Sequence, residues 1–263
     1  MVGEGEARRD ERRRQRALFD GVAELYDESR RGYPTEIVEL MIATAGLRPG
    51  SRVLEVGCGT AQLTEALSRH DFAVTAIDLG PSMIAVARRR LARSSVAFHV
   101  VSFEHFDAPD GSFDLVVSAT AFHWIDPEVK FTKAARLLRP DGWLALLVTG
   151  ERYDDPFGAA LLDMWVARSN DGGAWVKEHK LAEIDISDTA LFGSPVERRH
   201  LERLRLPTDA VVGVENTRAI ALSWDDAARR ALTDELRTQL RDTPDVTLTQ
   251  ETALAMAQVR ARP

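Results

Sequence analysis

Much of the reading comes from what this chain lacks. It has one cysteine, Cys58, so no internal disulfide can form. That usage suits a reducing compartment and predicts a cytoplasmic protein. No apolar run approaches the roughly 20 residues that a membrane span needs, and no secretory leader pattern opens the sequence. Lysine is scarce: only Lys130, Lys133, Lys177 and Lys180 occur among 34 basic residues, the rest being arginine. The net charge is −7, which supplies no overall basic field for nucleic acid. The six histidines show no paired ligand spacing, so no metal is expected. There is no G-x-S-x-G elbow for a serine hydrolase, no internal repeat and no low-complexity tract. What remains, 44% hydrophobic and 29% charged residues, is ordinary for a globular protein of one large α/β domain or a domain with a cap. The arginines at the start (Arg8, Arg9, Arg12, Arg13, Arg14, Arg16) alternate with acids and read as a solvated or frayed helix.

The most informative stretch is Arg52-Val53-Leu54-Glu55-Val56-Gly57-Cys58-Gly59-Thr60. Strands of a parallel sheet are covered on both faces and read as apolar runs. Arg52–Val56 fits, except for Glu55. A buried charge is costly without a partner, so Glu55 is expected to face a polar ligand at the strand tip. Gly57 and Gly59 would let the backbone turn tightly and approach that ligand. Cys58 reads as a small packing residue. The next apolar run, Ala73–Ile77, ends in Asp78, about 20 residues after the glycine turn. An acid at that spacing is where a doubly wound sheet holds ribose hydroxyls. A nicotinamide dinucleotide fits less well. Its G-x-G-x-x-G/A pattern falls on Gly57, Gly59 and Gln62, and Gln62 is too large for the third position.

Alternating elements extend this reading. Strands are predicted over 52–56, 73–78, 96–101, 113–118 and 143–149, with helices over 61–70, 82–93 and 127–138 between them. Residues 17–46 read as helices. Residues 151–193 read as broken helix, 196–206 as a strand, 224–241 as an amphipathic helix, and Val246–Val259 begins as a strand. This order argues a parallel sheet covered by helices.

Glu55-x-Gly57-x-Gly59 resembles the first motif of class I S-adenosyl-L-methionine-dependent methyltransferases. The resemblance continues through Asp78–Ile84, Gly111–Ser118, Ala121–Asp126 and Leu137–Leu144, in the expected order. The nearest group is similar to bacterial small-molecule methyltransferases, including the trans-aconitate methyltransferase-like ones. The resemblance implies a doubly wound, seven-stranded, mostly parallel Rossmann-like sheet, its last strand antiparallel, with a helical cap. It divides the chain into a lid (1–46), a donor-binding core (47–150), a substrate cover (151–195) and a segment completing the sheet (196–263).

It also implies roles for residues. Gly57 and Gly59 would lie against the methionine part of the donor, and Glu55 would meet its ammonium. Asp78 would hold the ribose, while Leu79 and Met83 would pack on adenine. Ser102 and Phe103 would contact adenine where many relatives carry an Asp. Ala61 stands where the family often has a third glycine, a change expected to matter little. Arg30 would pair with the donor's carboxylate, and Tyr26 and Tyr33 would close the lid. His123 is the candidate base or acceptor contact, because its ordinary pKa lies near neutrality. Trp124 could wall the sulfonium. Trp165, Trp175 and His179 are expected at the acceptor pocket. The expected activity is methyl transfer to a small-molecule acceptor (a carboxylate, phenol or amine) by a monomer or homodimer. Two alternatives stay open: a donor-binding enzyme of another reaction, and a binding module without chemistry.

Overall fold

Alternate residues of each central strand feed two different cores, and this places the sheet. A computed structural model describes residues 17–153, 156–168, 184–186 and 190–260. Leu54, Val56, Val116, Leu144 and Leu146 face one core, together with Phe122 and Leu137. Val53, Leu115, Val117, Ala145 and Leu147 face the other, with Met41, Leu63 and Leu67. That alternation is the period-two pattern of a strand covered on both sides.

The strands are β1 (Arg52–Val56), β2 (Ala73–Asp78), β3 (Ala97–Val100), β4 (Phe113–Ala119), β5 (Leu138–Tyr153), β6 (Val196–Pro207) and β7 (Asp245–Gln258). They form one seven-stranded sheet in the order β3-β2-β1-β4-β5-β7-β6. The pairs among β3, β2, β1, β4 and β5 are parallel, and β7 runs antiparallel to both neighbours. The expected sheet is therefore present. Strand order reverses between β1 and β4, so the crevice at their carboxyl ends is where such a fold binds ligands.

The helices, numbered along the chain, are α1 (Ala23–Ser29), α2 (Thr35–Thr44), α3 (Gln62–Leu67), α4 (Pro81–Arg90), α5 (Lys130–Leu137), α6 (Pro156–Arg168), α7 (Thr208–Asn216), α8 (Ala219–Leu222) and α9 (Asp226–Gln239). Helix α1 lies against α4 and α7. A Cβ on Gly213 would fall 2.1 Å from Ser29 Oγ, so a glycine is needed where α7 crosses α1.

Two elements differ from expectation. Strand β5 was expected over 143–149 but spans Leu138–Tyr153. Leu138 pairs with Phe113 before an irregularity, and the far end stays paired to β7 as far as Tyr153 with Leu248. Helix α7 was not expected, because its β-branched valines and Gly213 are weak helix formers. Tertiary packing decides it, for Val211, Val212 and Val214 are buried. Of residues 151–195, expected as a cover, the structure describes the helix α6 and a few residues beyond it; Asp171-Gly172-Gly173, Trp175, His179 and the N-terminal arginines lie outside the described residues.

Candidate active site

The turn after β1 is built from three left-handed residues, Gly57 (φ 72°), Gly59 (φ 54°) and Ala61 (φ 76°). The amides of Gly57 and Cys58 both donate to Ile77 O, at 2.9 and 3.0 Å, which knits the turn to the tip of β2. Asp78 completes the join. Its Oδ2 accepts from Gly59 N at 2.9 Å and its Oδ1 from Gly80 N at 2.8 Å. Burial pushes the Asp78 carboxyl up, and those two amides pull it back. An ionised carboxylate has about four acceptor positions, so two backbone bonds leave room for a ligand's hydroxyls.

These tips open on a cavity, and Asp78 lies on its wall with Gly57 and Gly59. Leu79, Met83, Ser102 and Phe103 line it, as do Phe19, Tyr26 and Trp124. Leu79 is 38% exposed, which is unusual for a large apolar side chain and suits a face awaiting a flat ligand. Ser102 Oγ pairs with His105 Nδ1 at 2.8 Å. Phe19 stands edge-on to both Tyr26 and Trp124, with centroids 6.0 and 6.2 Å apart. The charged wall residues are Asp20 and Asp78, both acids, so the described wall favours a cationic ligand.

Gly57 has a second reason to be glycine. A Cβ there would fall 2.4 Å from Ala121 Cβ. The sequence reading had this residue yield space to a ligand, and the structure has it yield space to the chain after β4 as well. That chain carries a residue the sequence reading passed over. Thr120 lies on the cavity wall at φ 56°. A β-branched residue there is a genuine outlier, costing on the order of 1–3 kcal/mol. Its Oγ1 lies 3.3 Å from Tyr33 Oη, and its amide donates to Leu147 O at 2.8 Å.

Three expected residues sit off the wall. Glu55 is 1% exposed, beneath the turn. Burial pushes its carboxyl from 4.5 up to about 8, and Asp78 adds to this, while the Thr64 hydroxyl beside it works the other way. Even so, neither Glu55 Oε2 nor Thr64 Oγ1 closes a hydrogen bond of good geometry among the described residues. His123 belongs to the turn Phe122–Trp124, its ring tilted against the Trp124 indole at 4.7 Å. It does not line the cavity, while its neighbour Trp124 does.

Arg30 corrects its expectation. Its guanidinium donates to Thr217 Oγ1 (3.1 Å) and Val214 O (3.3 Å), lies 3.7 Å from Glu151 Oε1, and covers the Tyr26 ring at 5.4 Å. It is thus tied to the end of helix α7 and does not line the cavity, although it covers Tyr26, which does. Trp165 is similarly occupied: it is buried, and its Nε1 donates to Glu215 Oε2 at 3.0 Å. Glu215 also accepts from Tyr153 Oη at 2.8 Å and from Arg218 Nε and Nη2 at 2.7 and 2.8 Å. Burial works to lower the Arg218 pKa, but the Glu215 and Glu151 carboxylates outweigh it and hold it well above the usual value. No cluster of groups able to hold a metal occurs among the described residues.

The chain is similar to known proteins in sequence and in fold. Residues 54–146 match the methyltransferase domain family. An uncharacterized methyltransferase of Mycobacterium tuberculosis is 33% identical over 129 residues, 49% of this chain and 51% of that protein. A ubiquinone biosynthesis O-methyltransferase of Xanthomonas campestris is 44% identical over 102 residues, 37% of this chain and 43% of that protein. The chain therefore spans about half the length, or less, of these curated relatives. Among solved structures, a protein proposed to be a type II methyltransferase from Anaeromyxobacter dehalogenans superposes with a TM-score of 0.60 at 24% identity, covering 88% of this chain and 97% of that one. The phosphoethanolamine N-methyltransferase 2 of Haemonchus contortus, in complex with S-adenosyl-L-methionine, gives 0.53 at 16% identity, covering 92% and 57%. At such identities the likeness is one of fold.

Proposed function

We propose that this chain, which carries a methyltransferase domain over residues 54–146, moves a methyl group from S-adenosyl-L-methionine to a small-molecule acceptor. The observation that carries the reading is the pair of acids at the strand tips: Asp78 on the wall and Glu55 beneath it with an orphaned Oε2. A buried carboxyl oxygen without a partner fits a ligand's ammonium, which would supply the missing bond and draw Glu55 into its ionised form. The free acceptor positions of Asp78 fit ribose hydroxyls, and Leu79 and Met83 fit the adenine faces. The residues present therefore fit this donor, and the donor, once bound, supplies a methyl group on an electrophilic sulfonium.

The chain's own residues then orient and exclude. Thr120, Trp124 and Tyr26 also lie on the wall, and the acceptor would meet the methyl among them. In-line displacement needs alignment and dryness more than acid–base help. Trp124 and Phe19 keep water out. Tyr26 and Tyr33 are poor proton acceptors here, because burial pushes both phenols up. His123, beside Trp124, is the candidate to take a proton from a phenol or amine, and a carboxylate acceptor needs none. The lid, cover and completing segment at 1–46, 151–195 and 196–263, the kinship with trans-aconitate methyltransferase-like enzymes, a cytoplasmic setting and a monomeric or homodimeric state belong to the same reading.

Native mass spectrometry of the purified protein with S-adenosylmethionine, followed by labelled methyl transfer to a panel of phenols, carboxylates and amines, tests it. The expected result is donor bound one to one and label on one acceptor class. Binding without transfer to any acceptor would favour another reaction on the same donor, and no binding of donor or demethylated product ends the proposal.

A further inference from the structure

We propose that Asp20 is a positioning residue for the donor: from the N-terminal segment it supplies the cap that helix α4 lacks, and so links closure of Phe19 and Tyr26 over the cavity to the order of the turn Asp78–Met83. The inference rests on the donor reading above.

Helix α4 begins with no cap of its own. Its N-cap residue is Gly80, without a side chain, and its first residue is Pro81, without an N–H. Ser82 and Met83 are left as the first amide donors, and these are the positions that an N-cap Asp normally serves. Asp20 serves them from 62 residues earlier in the chain. Its Oδ1 accepts from Ser82 N at 2.7 Å and Met83 N at 3.2 Å, and its Oδ2 accepts from Ser82 Oγ at 3.1 Å. A carboxylate at a helix N-terminus is favoured by the helix dipole as well.

Gly80 makes the approach possible. A Cβ there would fall 2.6 Å from Asp20 Oδ1 and 3.3 Å from Asp20 Cγ. The backbone does not require this glycine, because its φ is −80°. Its role is the space that Asp20 fills. The turn is thus held by two carboxylates, Asp78 from the strand tip through Gly80 N and Asp20 from the lid through the next two amides. Leu79 and Met83, between or beside those anchors, line the cavity. Next to Asp20, Phe19 sets its ring against Tyr26 and Trp124. When the lid leaves, the helix end loses its cap and the adenine side of the cavity loosens. A donor that orders Leu79 and Met83 favours the latched state in return. The other lid-to-α4 ion pairs sit at the far end of the helix: Glu24–Arg89 is exposed and of little weight, and Asp27–Arg90 is half-buried at 2.7 Å.

Calorimetric titration with S-adenosylhomocysteine, its dissociation rate, and amide hydrogen exchange at Ser82 and Met83 test the latch. Asp20→Ala is expected to weaken binding roughly tenfold, the weight of one lost cap, mainly through faster dissociation, and to speed exchange at both amides. Asp20→Asn, which keeps a capping oxygen, restores most of the loss. Gly80→Ala reproduces it by crowding out the carboxylate, and the double variant is no worse than either single one. Glu24→Ala leaves binding unchanged. Asp20→Ala binding within twofold of wild type, a lower Tm with an unchanged dissociation rate, or fully additive losses would each overturn the proposal. Wild-type protein that binds neither donor nor product overturns the donor reading and the coupling with it, while the exchange rates still report whether Asp20 caps the helix.

Discussion

Two glutamates, Glu55 on β1 and Glu215 on helix α7 against β6 and β7, are removed from water almost equally: Glu55 is 1% exposed and Glu215 0%. Their surroundings are opposite. Glu215 accepts from a phenol, an indole and two guanidinium nitrogens, so its desolvation is answered within the fold. Glu55 Oε2 has no hydrogen bond of good geometry among the described residues, only the Thr64 hydroxyl beside the carboxyl. The antiparallel half, with its long strands β5, β6 and β7, finishes its buried carboxylate. The parallel half leaves one open at a strand tip beside a cavity. Buried polar groups are normally paired, so the unfinished one marks where a ligand completes the structure and the finished one marks architecture.

The largest expected effect separates these roles. Glu215→Gln should cost about 3 kcal/mol of unfolding free energy, because it leaves buried Arg218 with only the longer Glu151 pair and turns an acceptor into a donor against Tyr153 and Trp165. Glu55→Gln should cost little stability, since a neutral side chain replaces one that is largely protonated near neutrality, yet it should weaken donor binding at least tenfold. Urea unfolding of both variants, with product titrations, checks this. Equal stability losses would break the comparison.

The next effect is pH dependence. With a native pKa of about 8 against an ordinary 4.5, folded Glu55 holds a proton that the unfolded chain has released. Where the native state binds more protons, stability falls as pH rises. Glu55 should therefore erode stability progressively between about pH 4.5 and 8, by a few kcal/mol in total, and Glu55→Gln should flatten that slope. Donor binding at pH 7 should release a proton, visible as a binding heat that depends on the buffer. A smaller effect concerns Thr120. Thr120→Gly should relieve its positive φ and raise stability by about 1 kcal/mol, after glycine's greater unfolded-state freedom is deducted. Turnover should fall, because Thr120 lies on the wall.

The same contrast explains what the sequence made legible. Asp78 could be found because a charge ending an apolar run has few uses other than a ligand, and it lies on the wall with Gly57, Gly59, Leu79 and Met83. Order and spacing along short parallel strands are local facts. Arg30 could not be placed, since nothing near it announces Thr217 or Glu151, far along the chain. Asp20 gave no signal either, because it caps a helix in a different segment. Thr120 reads as an extended β-branched residue, and its left-handed backbone arises only from the packing around it. The sequence reading ends a helix at 138 and begins β5 at 143, yet the strand starts at Leu138, which pairs with Phe113 of β4 before an irregularity in register that no local pattern announces.

The smallest effect bears on whether the parallel half stores strain in its turn or only in Thr120. Ala61 is left-handed at φ 76° and fully buried beside Cys58, Ala76 and Ile84. A left-handed alanine costs about 1–2 kcal/mol. Ala61→Gly removes that cost, but it forfeits about 0.8 kcal/mol for the buried methyl and about 0.4–1 kcal/mol in unfolded-state freedom. The terms nearly cancel, so the variant should lie within about 0.5 kcal/mol of the wild type by the same arithmetic, with unchanged product binding. A gain well beyond that would mean that the turn holds strain as Thr120 does. A clear loss would mean that the methyl packs so well that the third left-handed residue belongs to the architecture, and the line between the open and the finished halves would then run through the turn itself.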